Sequence, residues 1–183
     1  MTREDALKLV KENMKNKNLV KHVLATEAVM RGLAKKFGED EEKWGLAGLI
    51  HDVDYEKTVD NPSQHGLLGA QMLAGIGLDD EIVNAVRAHN DALGYDRITR
   101  MDKALYAADP VTGLIVAAAL VKPSKKLADV DTEFVLKKYK EKSFARGASR
   151  EQINSCEELG LTLEEFISLA IEAMQNIADE LGL

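Results

Sequence analysis

Apolar residues recur along this chain at helical spacing, and nearly every such stripe starts just after a residue able to cap a helix. No convincing stretch alternates apolar and polar residues, so strands are not expected and helices must bury their apolar faces against other helices. Thr2 with Asp5 opens a short first helix. Asn18 can cap a second, whose stripe of Leu19, Val23, Ala28, Met30, Leu33 and Phe37 ends at Gly38. Asp40 can cap a Trp44–His51 helix, followed by a polar loop from Asp54 to Pro62. Ser63 starts "SQHGLLGAQMLAGIG", which stops among Gly75 and Gly77, and Asp79 starts "DDEIVNAVRAHN". Thr99 and Asp102 open a long run to Val121. Three helices remain: Thr132–Lys142, Ser149–Leu159 with Gln152 completing a cap, and Thr162–Leu181 with Glu165 doing likewise. The fold class is all-α.

A chain of 183 residues suits one domain with a sizeable core. Its net charge of −7 argues against attraction to nucleic-acid polymers or anionic membranes. Cys156 is the single cysteine, so neither an intrachain disulfide nor a cysteine zinc site can form. The start, "MTREDALKLV", has no apolar signal region. The most apolar window, Gly113–Val121, falls short of the roughly 18 residues a membrane span needs. A cytoplasmic protein is expected; its oligomeric state is not legible. From Lys122 to Arg150, nine Lys and Arg stand against four acids, a local excess of positive charge that could face an anionic substrate or simply be a solvated helix face.

The stretch "GLAGLIHDVDYEK" ends an apolar helical run with His51 beside Asp52. Burying an ionised carboxylate is costly unless it is paired, hydrogen-bonded or bound to a metal. The chain has four histidines, His22, His51, His65 and His89, each near apolar neighbours on a predicted helix. Imidazoles combined with carboxylates suit Mn, Fe, Co, Ni or Zn, and a bundle can aim side chains from several helices at one point. Asp109 is a further candidate ligand in the apolar "ALYAADPVTGLIVAAALV". Followed by Pro110, it also reads as an N-cap with proline at the first helical position.

In order, His22, His51-Asp52, His65, His89 and Asp109 form an H…HD…H…H…D series. This resembles the HD-domain superfamily of metal-dependent phosphohydrolases, over about Asn18 to Leu120. Across its length, through "AGLIHDVDYEKT", "HGLLGAQML", "VRAHND", "TGLIVAAALVKPSK" and "KSFARGASRE", the chain is similar to small bacterial and archaeal HD hydrolases. The resemblance implies one all-α HD domain over residues 1–183, with a core at about 18–121 and a C-terminal helical extension at about 122–183. It implies that His22, His51, Asp52 and Asp109 hold one divalent transition metal. His65 and His89 would bind a second, with Asp52 bridging. The HDIG subgroup has glycine where this chain has Asp54, and the GYP element of cyclic-dinucleotide phosphodiesterases is absent.

The expected activity is phosphoester hydrolysis of a small anionic phosphorylated metabolite or nucleotide by metal-activated water, with Asp52 and Lys57 as catalytic candidates. Lys57, Lys125 and Arg146 are candidates for binding the phosphate, and Glu56 or Asp54 for shuttling protons. Two alternatives accompany it: a di-iron HD oxygenase that cleaves a C–C or C–P bond with O2, and a non-catalytic metal- or ligand-sensing module. Cys156, Trp44, Met72, Met101 and Met174 read as packing residues.

Overall fold

A computed structural model describes residues 1–183, and it contains helices and turns but no strands. The helices are α1 (Arg3–Asn13), α2 (Lys17–Phe37), α3 (Glu41–Ile50), α4 (Tyr55–Thr58), α5 (Leu67–Gly75) and α6 (Asp80–Ala88). They continue with α7 (Arg100–Leu120), α8 (Thr132–Lys140), α9 (Arg150–Asn154), α10 (Leu163–Gln175) and α11 (Ala178–Leu181). Short 3-10 turns lie at Asp91–Leu93, Leu127–Asp129 and Ser155–Leu159. The fold is the expected all-α bundle.

The two long helices α2 and α7 form its axis. Val23, Met30 and Leu33 of α2 and Met101, Leu105, Leu114 and Ile115 of α7 are completely or almost completely buried. Helix α3 lies against α2 at unusually short range. A Cβ on Gly48 would stand 2.8 Å from the carbonyl oxygen of Thr26 and 2.9 Å from the Cα of Glu27. Glycine at this position lets the two backbones meet, which brings His51 and Asp52 up to α2. Helix α6 closes the far side of α3 and α7, and α8 to α10 pack on α7 and α2 around Leu127, Val135, Ile153 and Phe166.

Several local expectations are corrected. Asn16, not Asn18, caps α2, accepting from the Asn18 N–H at 2.9 Å. The loop after His51 contains the single-turn α4. Helix α5 begins at Leu67 because Gly66 takes φ +80, a left-handed conformation that ends the preceding turn, so His65 lies outside the helix. Asp109 is no N-cap: α7 runs through it and through Pro110 without a break. The last predicted helix is broken at Asn176–Ile177 into α10 and α11. Helix α7 is also long and apolar enough to cross a membrane, with a mean hydropathy of 1.3, more than its Gly113–Val121 window suggested. Two thirds of that apolar stretch (67%) is buried in the bundle, the pattern of a core helix.

Candidate metal centre

Five elements deliver the six ligand candidates to one place. His22 comes from the second turn of α2, and Asp109 from the middle of α7. His51 caps the C-terminus of α3 and Asp52 follows it. His65 lies in the turn before α5, and His89 caps the C-terminus of α6. His51, Asp52 and His89 are buried, whereas His22 and Asp109 are 23% and 28% exposed, so the cluster opens towards solvent on the α2–α7 side.

Asp52 is the hub. Its Oδ1 lies 3.4 Å from His51 Nε2, 3.3 Å from His65 Nε2 and 3.5 Å from His89 Nε2. Its Oδ2 lies 3.5 Å from His22 Nε2. Asp109 Oδ1 is 3.0 Å from His22 Nε2 and 3.8 Å from His51 Nε2. Donors about 2.1 Å from a shared ion lie about 3.0 Å apart at right angles and about 3.4 Å apart in a tetrahedron. Five of the six spacings, 3.0–3.5 Å, lie at or close to those values, and the sixth, His51 to Asp109 at 3.8 Å, is longer. Two overlapping triads, His22–His51–Asp109 and His51–Asp52–His89, have the mutual distances of a metal site.

The second face of each imidazole is tied down. His51 Nδ1 donates to the carbonyl of Gly48 at 2.8 Å, and His89 Nδ1 to that of Val86. His65 Nδ1 donates to Asp54 Oδ1 at 3.0 Å. His22 Nδ1 faces Thr112 Oγ1 at 3.1 Å, and since that hydroxyl donates to the Asp109 carbonyl at 2.8 Å, it accepts from the imidazole. With a proton on every Nδ1, every Nε2 lone pair points into the cluster. His51 Nε2 is buried with no hydrogen-bond partner, and His65 Nε2 and His89 Nε2 stand 3.0 Å apart. Such a donor set fits a divalent transition metal, with outer partners fixing each ligand.

Without a cation the cluster holds protons instead. Burial disfavours the His51 imidazolium, but Asp52 and Asp109 outweigh it and raise its pKa to about 9. Burial likewise opposes charge on His65, yet Asp52 and Asp54 raise it to about 10. Burial would raise the Asp52 pKa, but His51, His65, His89 and His22 hold it well below the usual carboxylate range. Asp109 is lowered in the same way by His22 and His51.

The other sequence candidates lie elsewhere. Lys57 is exposed, and its Nζ donates to Asn13 Oδ1 at 2.7 Å rather than turning to the cluster. Glu56 is corrected as a proton shuttle: its Oε1 accepts the backbone N–H groups of Lys15 and Asn16, joining α4 to the start of α2. Asp54 is corrected too, since both its oxygens are engaged by His65, Gly66 and Gly69. Lys125 sits exposed beyond the end of α7. The eleven helical steps from Asp109 to Leu120 already span about 16 Å. Arg146 is exposed in a loop whose neighbours Ala145, Gly147 and Ala148 line a cavity with His22 and Asp109. Cys156 is buried, and its thiol is pushed up to about 11 by that burial and by Glu157. Sequence reasoning missed Thr112, Gly48 and the positioning part of Asp54. Thr112 had a signal, one helical turn after Asp109; the carbonyl of Gly48 had none.

Residues 19–119, more than half of the chain, match the family described as HD domain. Ribonuclease Y of Lawsonia intracellularis (strain PHE/MN1-00) is 27% identical over 124 residues, 64% of this chain and 24% of that protein. Ribonuclease Y of Clostridium novyi (strain NT) is 28% identical over 140 residues, 73% of this chain and 27% of that protein. An uncharacterized protein of Methanocaldococcus jannaschii is 32% identical over 91 residues, 47% of this chain and 52% of that protein. The chain therefore spans about a quarter of the length of these ribonucleases and about half that of the archaeal relative.

Proposed function

The chain belongs to the HD-domain family, a superfamily of metal-dependent hydrolases, and on that premise we propose that it hydrolyses a phosphoester of a small metabolite or nucleotide. The observation that carries this reading is the convergence of four imidazole Nε2 atoms on Asp52 and Asp109, with His51 Nε2 unpartnered. In this reading His22, His51, Asp52 and Asp109 hold one divalent transition metal (Mn, Fe, Co, Ni or Zn), and His65 and His89 hold a second with Asp52 shared. Bound there, such ions lower the pKa of water towards neutrality and polarise phosphoryl oxygens.

The chain's own residues do the rest. Asp52 stays ionised, with Oδ1 towards His51, His65 and His89 and Oδ2 towards His22, which ties the two groups of ligands together. Gly48, Val86, Thr112 and Asp54 keep the four imidazoles in the tautomer that leaves Nε2 free. Buried His51 and His89 exclude water from behind, so substrate approaches past His22 and Asp109. Arg146, on the loop beside that opening, is the phosphate-binding candidate best supported by its position. Lys57 and Lys125 have weaker support, being bonded to Asn13 and remote along α7.

The test is metal analysis of protein purified without oxygen, followed by a phosphoester screen with Mn, Co, Ni, Fe and Mg that includes an RNA oligonucleotide. The overall charge of −7 favours small substrates over the polymer. Phosphate release that disappears in Asp52→Ala supports the reading. Bound iron with a mixed-valence signal and no release from any ester would replace it with the di-iron oxygenase.

A further inference from the structure

One wall of the opening beside the metal centre comes from outside the matched HD region. Arg150, at the start of α9, directs its whole guanidinium at backbone carbonyls. Nε donates to Tyr139 at 3.1 Å, Nη1 to Ala145 at 2.9 Å and Ala148 at 2.7 Å, and Nη2 to Phe144 at 2.6 Å. Longer bonds reach Lys138 and Glu141 at 3.3 and 3.4 Å. The loop between α8 and α9 is thus wound around a cation that has no carboxylate partner.

Each trans peptide sets its N–H opposite its C=O, so holding the Phe144 and Ala145 carbonyls on Arg150 turns the Ala145 and Arg146 amides away from it. The amides of Ala145, Arg146 and Gly147 donate to no backbone acceptor, and no side chain takes them. Ala145 has φ +45, the left-handed turn that lets successive N–H groups form an anion-binding concavity. Ala145, Gly147 and Ala148 line a cavity of about 270 Å³ whose other wall is His22, Asp109, Pro110 and Gly113. The Arg146 side chain is exposed and joins no ion pair. Ala145 and Gly147, whose amides are free, therefore border one small space with two residues of the metal cluster, and the unpaired Arg146 lies between them in the loop.

We propose that Ala145–Gly147 is an anion cradle that binds a phosphate group of the substrate beside the metal centre. Arg146 supplies charge, and Arg150 is a positioning residue that holds the cradle open. The proposal rests on the phosphoester reading for its ligand but not for its test.

The probe is inorganic phosphate, titrated calorimetrically into the metal-loaded protein. Arg146→Ala removes the charge, and Gly147→Pro removes one amide donor. Each is expected to weaken phosphate binding tenfold or more while metal content stays at the wild-type level. Arg150→Lys, which cannot reach six carbonyls, should do the same with helicity retained, and should raise KM for a hydrolysed ester far more than it lowers kcat. Lys137→Ala removes an equal charge from an exposed site on α8 and should leave phosphate affinity unchanged. Arg146→Ala decides the matter if Gly147→Pro fails to fold. Equal phosphate affinity in wild type and Arg146→Ala, or no phosphate binding by the loaded wild type, overturns the cradle. Variant-sensitive phosphate binding without hydrolysis of any ester would leave the cradle standing and remove the hydrolase reading alone.

Discussion

Asp54 Oδ1 accepts the Nδ1–H of His65 at 3.0 Å, while its Oδ2 accepts the backbone amides of Gly66 and Gly69 at 2.8 and 2.7 Å. One carboxylate therefore orients a ligand and builds the turn that carries it. The carboxylate is fully buried, and a Cβ on Gly69 would come within 3.2 Å of its Cγ, so the turn is shaped around it.

Asp54→Asn separates those two tasks. An amide has one acceptor oxygen; if that faces Gly66 and Gly69, its NH2 faces His65 and drives the imidazole to the tautomer with a proton on Nε2. That proton points at Asp52 and His89, where an ion is expected to sit. Loss of an outer-sphere partner costs metal affinity about 10–100-fold. The expected outcome in metal titrations is selective weakening of the ion held by His65 and His89, with the His22–His51–Asp109 site unaffected. A stability loss of about 1–3 kcal/mol should accompany it in thermal melts.

Gly48→Ala tests the approach of α2 to α3. The added Cβ meets the Thr26 carbonyl at 2.8 Å and Glu27 backbone atoms at 2.9 Å, and none of these can swing away as a side-chain tip could. Overpacking costs about 1–3 kcal/mol, against a helix-propensity gain of about 1 kcal/mol. A lower Tm and a weaker His51 site are expected together, because the Gly48 carbonyl anchors that ring. Gly75→Ala, with nothing within 4 Å of its Cβ, should leave both unchanged or raise Tm slightly.

These two sites mark where the sequence was legible and where it was not. Caps such as Thr2, Asp40, Asp79, Thr99 and Thr162 act through neighbours three residues away or fewer, so their helices could be read locally. The metal-ligand candidates were legible as a residue series, because each is of a type that seldom sits in apolar surroundings without a partner. The orienting shell was not. Gly48 contributes a carbonyl, Asp54 looked like a loop acid, and Arg150 acts on six carbonyls that carry no sequence signature. His65 was expected in a helix because "SQHGLLGA" has helical composition. The left-handed Gly66, stabilised by a carboxylate twelve residues earlier, decides otherwise.

Metal loading should release protons at neutral pH. In the metal-free protein His51 and His65 titrate at about 9 and about 10, so both are largely protonated at pH 7, while Asp52 and Asp109 are ionised. A ligating Nε2 must be free of its proton. Affinity should therefore rise with pH, and calorimetry in buffers of different ionisation enthalpy should show proton release. Metal-free stability runs the other way. A histidine whose folded pKa is raised contributes stability that is full below about 6.5 and is lost as pH rises through about 9 to 10. Metal affinity that is flat between pH 6 and 9 would contradict this assignment.

Thr112 offers the sharpest test of tautomer control on the open side of the cluster. Its hydroxyl hydrogen is committed to the Asp109 carbonyl at 2.8 Å, so towards His22 Nδ1, at 3.1 Å, it can only accept. Thr112→Val keeps the buried shape but deletes the acceptor. His22 is 23% exposed, so its Nδ1 proton can then pass to water and the ring can adopt either tautomer or turn. The ring no longer has its Nε2 lone pair fixed on Asp109 and Asp52. The fold should survive with a loss of about 1–3 kcal/mol, since the hydroxyl gives up its bond to His22 and its bond to the Asp109 carbonyl. Affinity at the His22–His51–Asp109 site should fall about 10-fold, at the lower end of outer-sphere effects because the position is partly solvated. Thr112→Ser restores the hydroxyl and should restore the affinity. Equal metal affinity in wild type and Thr112→Val, with His22 nitrogen shifts unchanged by NMR, would show that the hydroxyl does not set the ring.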